Sequence, residues 1–255
     1  MRPHEAPHGG CDGSAAGVGH RGDTLYTSDE LEAMASARNY CRWIVGQWRP
    51  YLHGRILELG AGTGNFSTYL LRESIESLYL IEPARNLFDT LQRRLGHEQR
   101  VILRKGTLDE CLPELRTDPV DVAVTVNVLE HIVDDIHVLR GLKGAVRPGG
   151  TVLVLVPALP LLYGAADETF GHVRRYTKSG LIDAFRAAEL STVSIRYFNF
   201  LGAFAWFTAG RILRRRSLTP AMVKFSDRTV IPLTRLLERL VVPPFGQSLV
   251  AVARR

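Results

Sequence analysis

Leu57-Glu58-Leu59-Gly60-Ala61-Gly62-Thr63-Gly64-Asn65 closes one apolar run, Arg55 to Leu59, and an Ile81-Glu82-Pro83 closes the next, Leu78 to Ile81. Glycines at alternate positions after a strand mark a backbone that turns sharply and lets another molecule approach its main chain. Glu82 follows Gly64 by 18 residues. In a doubly wound sheet that is the place of the carboxylate that receives both ribose hydroxyls of a nucleoside. The pair of motifs points to an adenosine-bearing cofactor.

Two cofactors suit a strand, a glycine turn and a distal acid. A nicotinamide dinucleotide asks for Gly-x-Gly-x-x-Gly, whose last glycine brings a helix N-terminus under a pyrophosphate. Here the third glycine comes one residue early, and Asn65 stands in its place. Glu58, two residues before the first glycine, would repel a pyrophosphate but suits a cationic amine. S-adenosylmethionine carries an ammonium and a sulfonium and no phosphate, so the run from Glu58 to Gly64 favours it. A nicotinamide oxidoreductase and a non-catalytic cofactor-binding module are the alternatives.

Apolar runs at 55–59, 78–81, 101–103, 121–126 and 151–156 are interleaved with helical patterns at 84–95 and 133–146. Strands alternating with helices imply parallel pairing with right-handed crossovers. Pro148-Gly149-Gly150 is a turn feeding the fifth strand. A helix over 178–188 precedes a sixth strand, 192–198, and 248–253 forms a seventh. Before the first strand, Thr27-Ser28-Asp29-Glu30 carries a capping signature for a helix reaching about Trp48, with Pro50 ending it. Residues 1–23, rich in Gly, His and Pro without an apolar stretch, read as a disordered tail rather than a signal peptide. Residues 24–255 then form one domain, with 24–50 as a helical cover.

Residues 199–246 are too long for a simple turn and read as a helical insertion. It holds the aromatics Phe200, Phe204, Trp206 and Phe207, the basic run Arg211 to Arg216, and an amphipathic helix with Leu233, Leu236, Leu237 and Leu240 on one face. The net charge of the chain is +6, yet residues 199–255 alone carry ten Arg and Lys against Asp227 and Glu238, a net +8. The remainder is slightly acidic, so the basicity belongs to this segment. Nucleic acid is not expected, since no recognition motif accompanies the basic residues. The insertion reads first as an apolar cap over an acceptor pocket, and second as a surface for peripheral contact with an anionic membrane. No apolar run reaches the roughly 18 residues that span a bilayer. Cys11, Cys41 and Cys111 are odd in number and far apart. That argues against a disulfide framework or structural zinc, and for a cytoplasmic protein, at the inner membrane face if the cap docks there. No metal is implied.

The chain resembles the class I S-adenosylmethionine-dependent methyltransferases over roughly residues 25–255. The matching pieces are Glu58 to Gly64, Ile81-Glu82-Pro83, Asn127-Val128-Leu129-Glu130-His131-Ile132 and Leu142 to Gly150. More narrowly, Ala37 to Tyr40 and Gly171 to Thr177 are similar to segments of a bacterial small-molecule branch. The resemblance implies a seven-stranded Rossmann-like α/β sheet with an antiparallel last strand, a helical cover, and a helical cap inserted before that strand. It implies in-line methyl transfer but names no acceptor; the aromatics and arginines of the insertion suggest O- or C-methylation of a small or lipid-like acceptor with an apolar body and an anionic or polar end. A natural-product, polyprenyl-linked or glycan-linked acceptor fits the aromatic and basic cap.

Ligands of such a sheet sit outside the carboxyl ends of its strands. Gly60, Ala61, Gly62, Gly64 and Asn65 should receive the methionine part, with Glu58 near its ammonium. Glu82 and Pro83 should meet the ribose. Thr107 and Leu108 fall beside the adenine; the family commonly has an acid where Thr107 stands, so a backbone contact is expected there. Asn127, Val128 and His131 should line the transfer centre, and Tyr40 could close over the cofactor. His131 is the first candidate base. His172 is the second, on a loop (157–176) that also carries Tyr163, Asp167, Glu168, Arg174 and Arg175. Tyr176 joins them as a candidate catalytic residue, and Arg175 could hold an acceptor carboxylate or phosphate. A loop held together internally, by Asp167 or Glu168 pairing with Arg174 or Arg175, is the competing reading.

Overall fold

The computed structural model describes residues 36–212 and 219–255. The expected tail at 1–23 and the capping signature at 27–30 lie outside the described residues. The first helix described, α1, spans Arg38–Trp48. Seven strands follow: β1 (Arg55–Leu59), β2 (Ser77–Glu82), β3 (Val101–Lys105), β4 (Val120–Val126), β5 (Val146–Pro157), β6 (Ser191–Phe198) and β7 (Ser248–Arg254). They form one sheet of order β3-β2-β1-β4-β5-β7-β6. All neighbours pair in parallel except β7, which runs antiparallel to both β5 and β6. The closing hairpin and antiparallel last strand are as expected. Pro148-Gly149-Gly150 belongs to β5 rather than preceding it, inside an irregularity where the partner register jumps from Val120↔Val146 to Val122↔Thr151.

The strands carry apolar side chains on both faces because both faces are covered. Ile56, Val122 and Val124 enter the core under α1, α2 (Ser67–Leu70) and α3 (Arg85–Leu95). Their neighbours Leu57, Leu59 and Ala123 enter the opposite core. That core packs on α4 (Leu108–Thr117), α5 (Asp135–Ala145) and α7 (Lys178–Ala187). The two sheet edges are polar: β3 ends in Arg104-Lys105, and β6 exposes Ser191 to Ser194, as lone edges must to avoid pairing with other chains.

Helix α4 escapes the apolar-periodicity reading because Pro113 lies inside it, yet its start is legible. Thr107 Oγ1 accepts from Glu110 N, and Glu110 Oε2 accepts from Thr107 N, a capping box. Within the 157–176 loop a short helix, α6 (Ala165–Phe170), ends at Gly171, whose φ of +75° is left-handed. The insertion folds as α8 (Phe200–Phe207), a π-helical turn (Thr208–Ile212), α9 (Pro220–Arg228) and α10 (Val230–Leu240).

The leucine face of α10 does not face the core. Ile231 and Thr234 are buried, while Leu233, Leu236 and Leu240 are 51%, 55% and 77% exposed. The insertion is joined to α1 through Asp227, whose carboxylate accepts from Asn39 N (3.0 Å) and Tyr40 N (2.9 Å). A side chain 188 residues away thus caps the first helix of the cover.

Candidate functional site

β1 ends in a turn whose Gly60, Gly62 and Gly64 have φ of +74°, +57° and +76°, a region that L side chains enter only with strain. Close approach also requires two of these glycines. A Cβ on Gly60 would lie 2.5 Å from Val128 Cγ2, and one on Gly64 would lie 2.7 Å from Leu91 Cδ1. The turn is pinned to β2 by Gly60 N and Ala61 N, which donate to Ile81 O at 2.9 and 3.1 Å. Asn65 is half-buried, and its carbonyl accepts from Thr68 Oγ1.

Glu82 is held from two sides: Gly62 N donates to Oε2 and Ala84 N to Oε1, both at 2.8 Å. Each carboxylate oxygen keeps a second lone pair for a further donor. Burial raises its pKa, and the two amides oppose the rise. Pro83, between Glu82 and Ala84, is half-buried. Glu58 is wholly enclosed, and burial pushes its pKa up to about 8, with Glu82 adding to the rise. Neither Glu58 Oε2 nor Ser67 Oγ has a hydrogen-bond partner among the described residues. A buried acid in this condition gains most from a cation placed against it. Thr107 uses its side chain and its N–H on the α4 cap. Leu108 turns its side chain into the core, where it meets Gly141, so only main chain at these two positions is left for a ligand.

A cavity of about 200 Å³ opens beyond the ends of β4 and β5, roofed by the insertion. Its walls include Tyr40 from α1, Asn127 and Glu130 after β4, His172 and Arg175 from the loop after β5, and Trp206, Val223 and Ile231 from the insertion. Asn127 has φ +52°, a strained backbone setting that asparagine tolerates better than most residues and that often marks a working site. The next residue, Val128, is the one packed on Gly60, so cavity and glycine turn adjoin. Tyr40 lines the cavity rather than the turn: its hydroxyl meets Ser248 Oγ at 3.2 Å, and burial raises its pKa. Twelve of the nineteen lining residues lie beyond residue 195.

At one end of the cavity the loop and β4 converge. Gly171 turns the chain back so that His172 N bonds Asp167 O, and His172 Nδ1 comes to 2.8 Å from Asp167 Oδ1. Arg175 Nε donates to the same Asp167 oxygen at 2.8 Å, and its guanidinium also reaches Ala158 O and lies 4.9 Å over the Trp206 ring. Val173 N donates to Glu130 O, and Tyr163 Oη to His172 O, both at 2.7 Å, which ties the loop to the β4 end. His172 Nε2 stands 4.0 Å from Glu130 Oε1. The His131 ring lies edge-on to His172, 4.8 Å between centroids. Burial and the neighbouring His172 lower the His131 pKa to about 4, so this ring is neutral at pH 7.

The sequence-expected residues therefore separate into groups. Glu58, Glu82 and the glycines gather at the turn; Asn127, His172 and Tyr40 line the cavity. His131 sits half-buried behind His172 rather than among the lining residues. Tyr176 departs from expectation: its ring is in the core, and its hydroxyl donates to Asp135 Oδ2 at 2.6 Å. Arg175 lines the cavity, but its guanidinium is engaged with Asp167, so the internally bonded loop describes this pair well. Glu130 and Asn199 line the cavity without having stood out in the sequence as functional residues. Asp227 and Glu238 carried a readable signal as the only two acids in a basic segment. Both serve main-chain donors at helix starts, Glu238 accepting from Phe200 N at 2.9 Å.

A family described as a methyltransferase domain matches residues 32–195. Uncharacterized methyltransferases of Mycobacterium bovis and Mycobacterium tuberculosis are 29% identical over 162 residues, 64% of this chain and 55% of each relative. The match thus spans about half the length of these curated relatives. Among solved structures, an S-adenosylmethionine-dependent methyltransferase from Archaeoglobus fulgidus superposes with a TM-score of 0.56 at 16% identity, covering 86% of this chain and 94% of the other. One from Mesorhizobium loti gives 0.56 at 17%, covering 86% and 98%. At these identities the likeness speaks for the fold.

Proposed function

The chain belongs to the methyltransferase domain family, and from that premise we propose that it methylates a small acceptor with an apolar body, using S-adenosylmethionine as donor. The observation that carries this reading is the adjacency of two unlike sites at the strand ends, a glycine turn edged with buried acids and a capped cavity with one polar end. The donor fits the turn on the structure's own terms. Side chains are excluded from Gly60 and Gly64, and Glu58 is a buried acid with an unmatched oxygen.

Glu58 and the turn's main chain would hold the amino-acid end, Glu82 the ribose hydroxyls, and the backbone at Thr107 and Leu108 the adenine side. When bound, the donor supplies an electrophilic methyl group on a positively charged sulfur. The protein's own part is then chiefly positioning. Trp206, Val223 and Ile231 hold an apolar body and exclude water, while Asn127, Glu130 and His172 receive the acceptor's polar end. Asp167 fixes the His172 ring, so its orientation does not depend on the acceptor. An oxygen or acidic carbon suits that end, in a natural-product or polyprenyl-linked acceptor.

A test is methyl transfer from isotopically labelled S-adenosylmethionine into bacterial extracts. Label should accumulate in a low-mass, organic-extractable fraction and fall with Glu82→Ala. Label confined to protein or nucleic acid would overturn the acceptor class.

A second reading concerns where the acceptor is met. α10 exposes Leu233, Leu236 and Leu240, followed by Val241 and Val242, with Arg235 and Arg239 exposed on the same helix. Apolar surface of this extent beside cations suits an anionic lipid surface. Among the described residues no helix is long and apolar enough to cross a membrane. Flotation should capture the chain on phosphatidylglycerol vesicles and not on phosphatidylcholine, with loss on Arg235→Glu/Arg239→Glu; equal capture on both would refute it.

A further inference from the structure

We propose that Glu130, His131 and His172 bind a divalent first-row transition-metal cation at the polar end of the cavity, and that this cation takes the acceptor oxygen as a further ligand. Each side chain offers one ligand atom, and the three atoms lie within 4.8 Å of one another. Donors bonded to a cation at about 2.0–2.2 Å stand roughly 3 Å apart, so closure needs a contraction of about 1–2 Å. Two imidazoles and a carboxylate on one side of an ion leave its other positions open to water or substrate.

The surroundings are those that orient metal-binding histidines. His172 Nδ1 faces Asp167 Oδ1, which fixes Nδ1–H as the donor and leaves the ring lone pair on Nε2, the nitrogen directed at Glu130. Asp167 is itself held by Arg175 Nε and Gly164 N. His131 turns its Nδ1 toward Gly171, 4.0 Å from where a Cβ on that glycine would stand. Main-chain bonding of Val173 to Glu130 holds the two ligand-bearing segments at fixed separation.

Charge points the same way. Two buried carboxylates, Glu130 and Asp167, share the site with one buried guanidinium, Arg175, which pairs with Asp167. A divalent cation suits a site with these two carboxyl groups beside neutral imidazoles. Two nitrogen ligands favour Mn²⁺, Fe²⁺, Co²⁺ or Zn²⁺ over Mg²⁺ and Ca²⁺. Coordination would lower the pKa of an acceptor hydroxyl. Its O–H bond breaks, the electron pair stays on oxygen, and the proton passes to water. An enol, phenol or pair of vicinal hydroxyls is the matching acceptor. This role rests on the reading that the acceptor occupies the cavity.

The test uses the full chain without tag histidines, stripped with a chelator and titrated with Mn²⁺ alone, the free ion followed by electron paramagnetic resonance. One ion per chain is expected. Glu130→Gln and His131→Gln should each weaken uptake more than tenfold, and Asp167→Asn about tenfold. His131 is half-buried, so its variant keeps the test alive if a buried one fails to fold. Replacing His4, His8 and His20 together with alanine should change nothing. The site is refuted by no saturable uptake of Mn²⁺ or Co²⁺ at millimolar concentration, by uptake that the cluster variants leave intact, or by uptake lost with the tail histidines. Calorimetry with S-adenosylmethionine on the same samples separates the two claims. Donor uptake without Mn²⁺ overturns the metal site alone; Mn²⁺ uptake without donor overturns the donor reading alone.

Discussion

Replacing Asp227 should loosen the contact between the insertion and the first helix. Its two oxygens accept from Asn39 N and Tyr40 N at 3.0 and 2.9 Å, and the side chain is 4% exposed. Removing an N-cap acceptor costs about 1 kcal/mol, and a buried donor left without a partner about 1–3 kcal/mol. Asp227 lines the cavity, so water can reach part of the gap. The expectation for Asp227→Ala is therefore about 2–3 kcal/mol, or roughly 5–10 °C in Tm for a chain of this size. Asp227→Asn keeps one acceptor oxygen and should cost about 1 kcal/mol. Urea melts give the energies, and hydrogen exchange locates them: the Asn39 and Tyr40 amides should exchange faster in Asp227→Ala. An alanine variant as stable as the parent, an asparagine variant as damaged as alanine, or destabilisation with unchanged exchange in α1 would each refute the reasoning.

Gly64→Ala combines a positive φ with a Cβ 2.7 Å from Leu91 Cδ1, and thermal melts should show a loss of about 2–4 kcal/mol. Glu82→Gln removes a charged acceptor and sets an NH2 group against the Gly62 or Ala84 amide, so calorimetry should find donor affinity reduced about 10–100-fold and melts a loss of about 1–3 kcal/mol. Glu58 gives a pH signature without ligand. Its folded pKa of about 8 exceeds the ordinary 4.5, so between these values the folded chain holds the extra proton. Stability should then fall as pH rises from 4.5 to 8, with a slope approaching 1.4 kcal/mol per unit. In Glu58→Gln this decline should vanish; a parallel decline in both proteins would assign it elsewhere.

The sheet was legible because its strands are buried on both faces and read as unbroken apolar runs between turn residues. The glycine turn was legible because its conformation admits few alternatives. The facing of α10 was not legible, for a definite reason. A period of 3.6 shows which residues share a face, as Leu233, Leu236 and Leu240 do, but not whether that face meets a core. Thr234, polar by type, went inside instead, its hydroxyl donating to Val230 O. Tyr176 looked like a functional residue among others; only the fold shows its hydroxyl bound to Asp135. The bond between Asp227 and α1 joins residues 188 apart, beyond any local pattern. Glu130 was hidden by its neighbour, since His131 drew the interest of a sequence motif in which the acid faces the cavity.

The family match stops at residue 195, while most of the chamber wall is built after it. On the proposed reading the matched part holds the donor's seat, and the wall that would meet the acceptor is built mostly beyond it. Knowing the acceptor of any cousin would therefore say little about this one. Grafting residues 199–246 together with the Asn39–Tyr40 anchor onto another member is the exchange by which acceptor preference should travel.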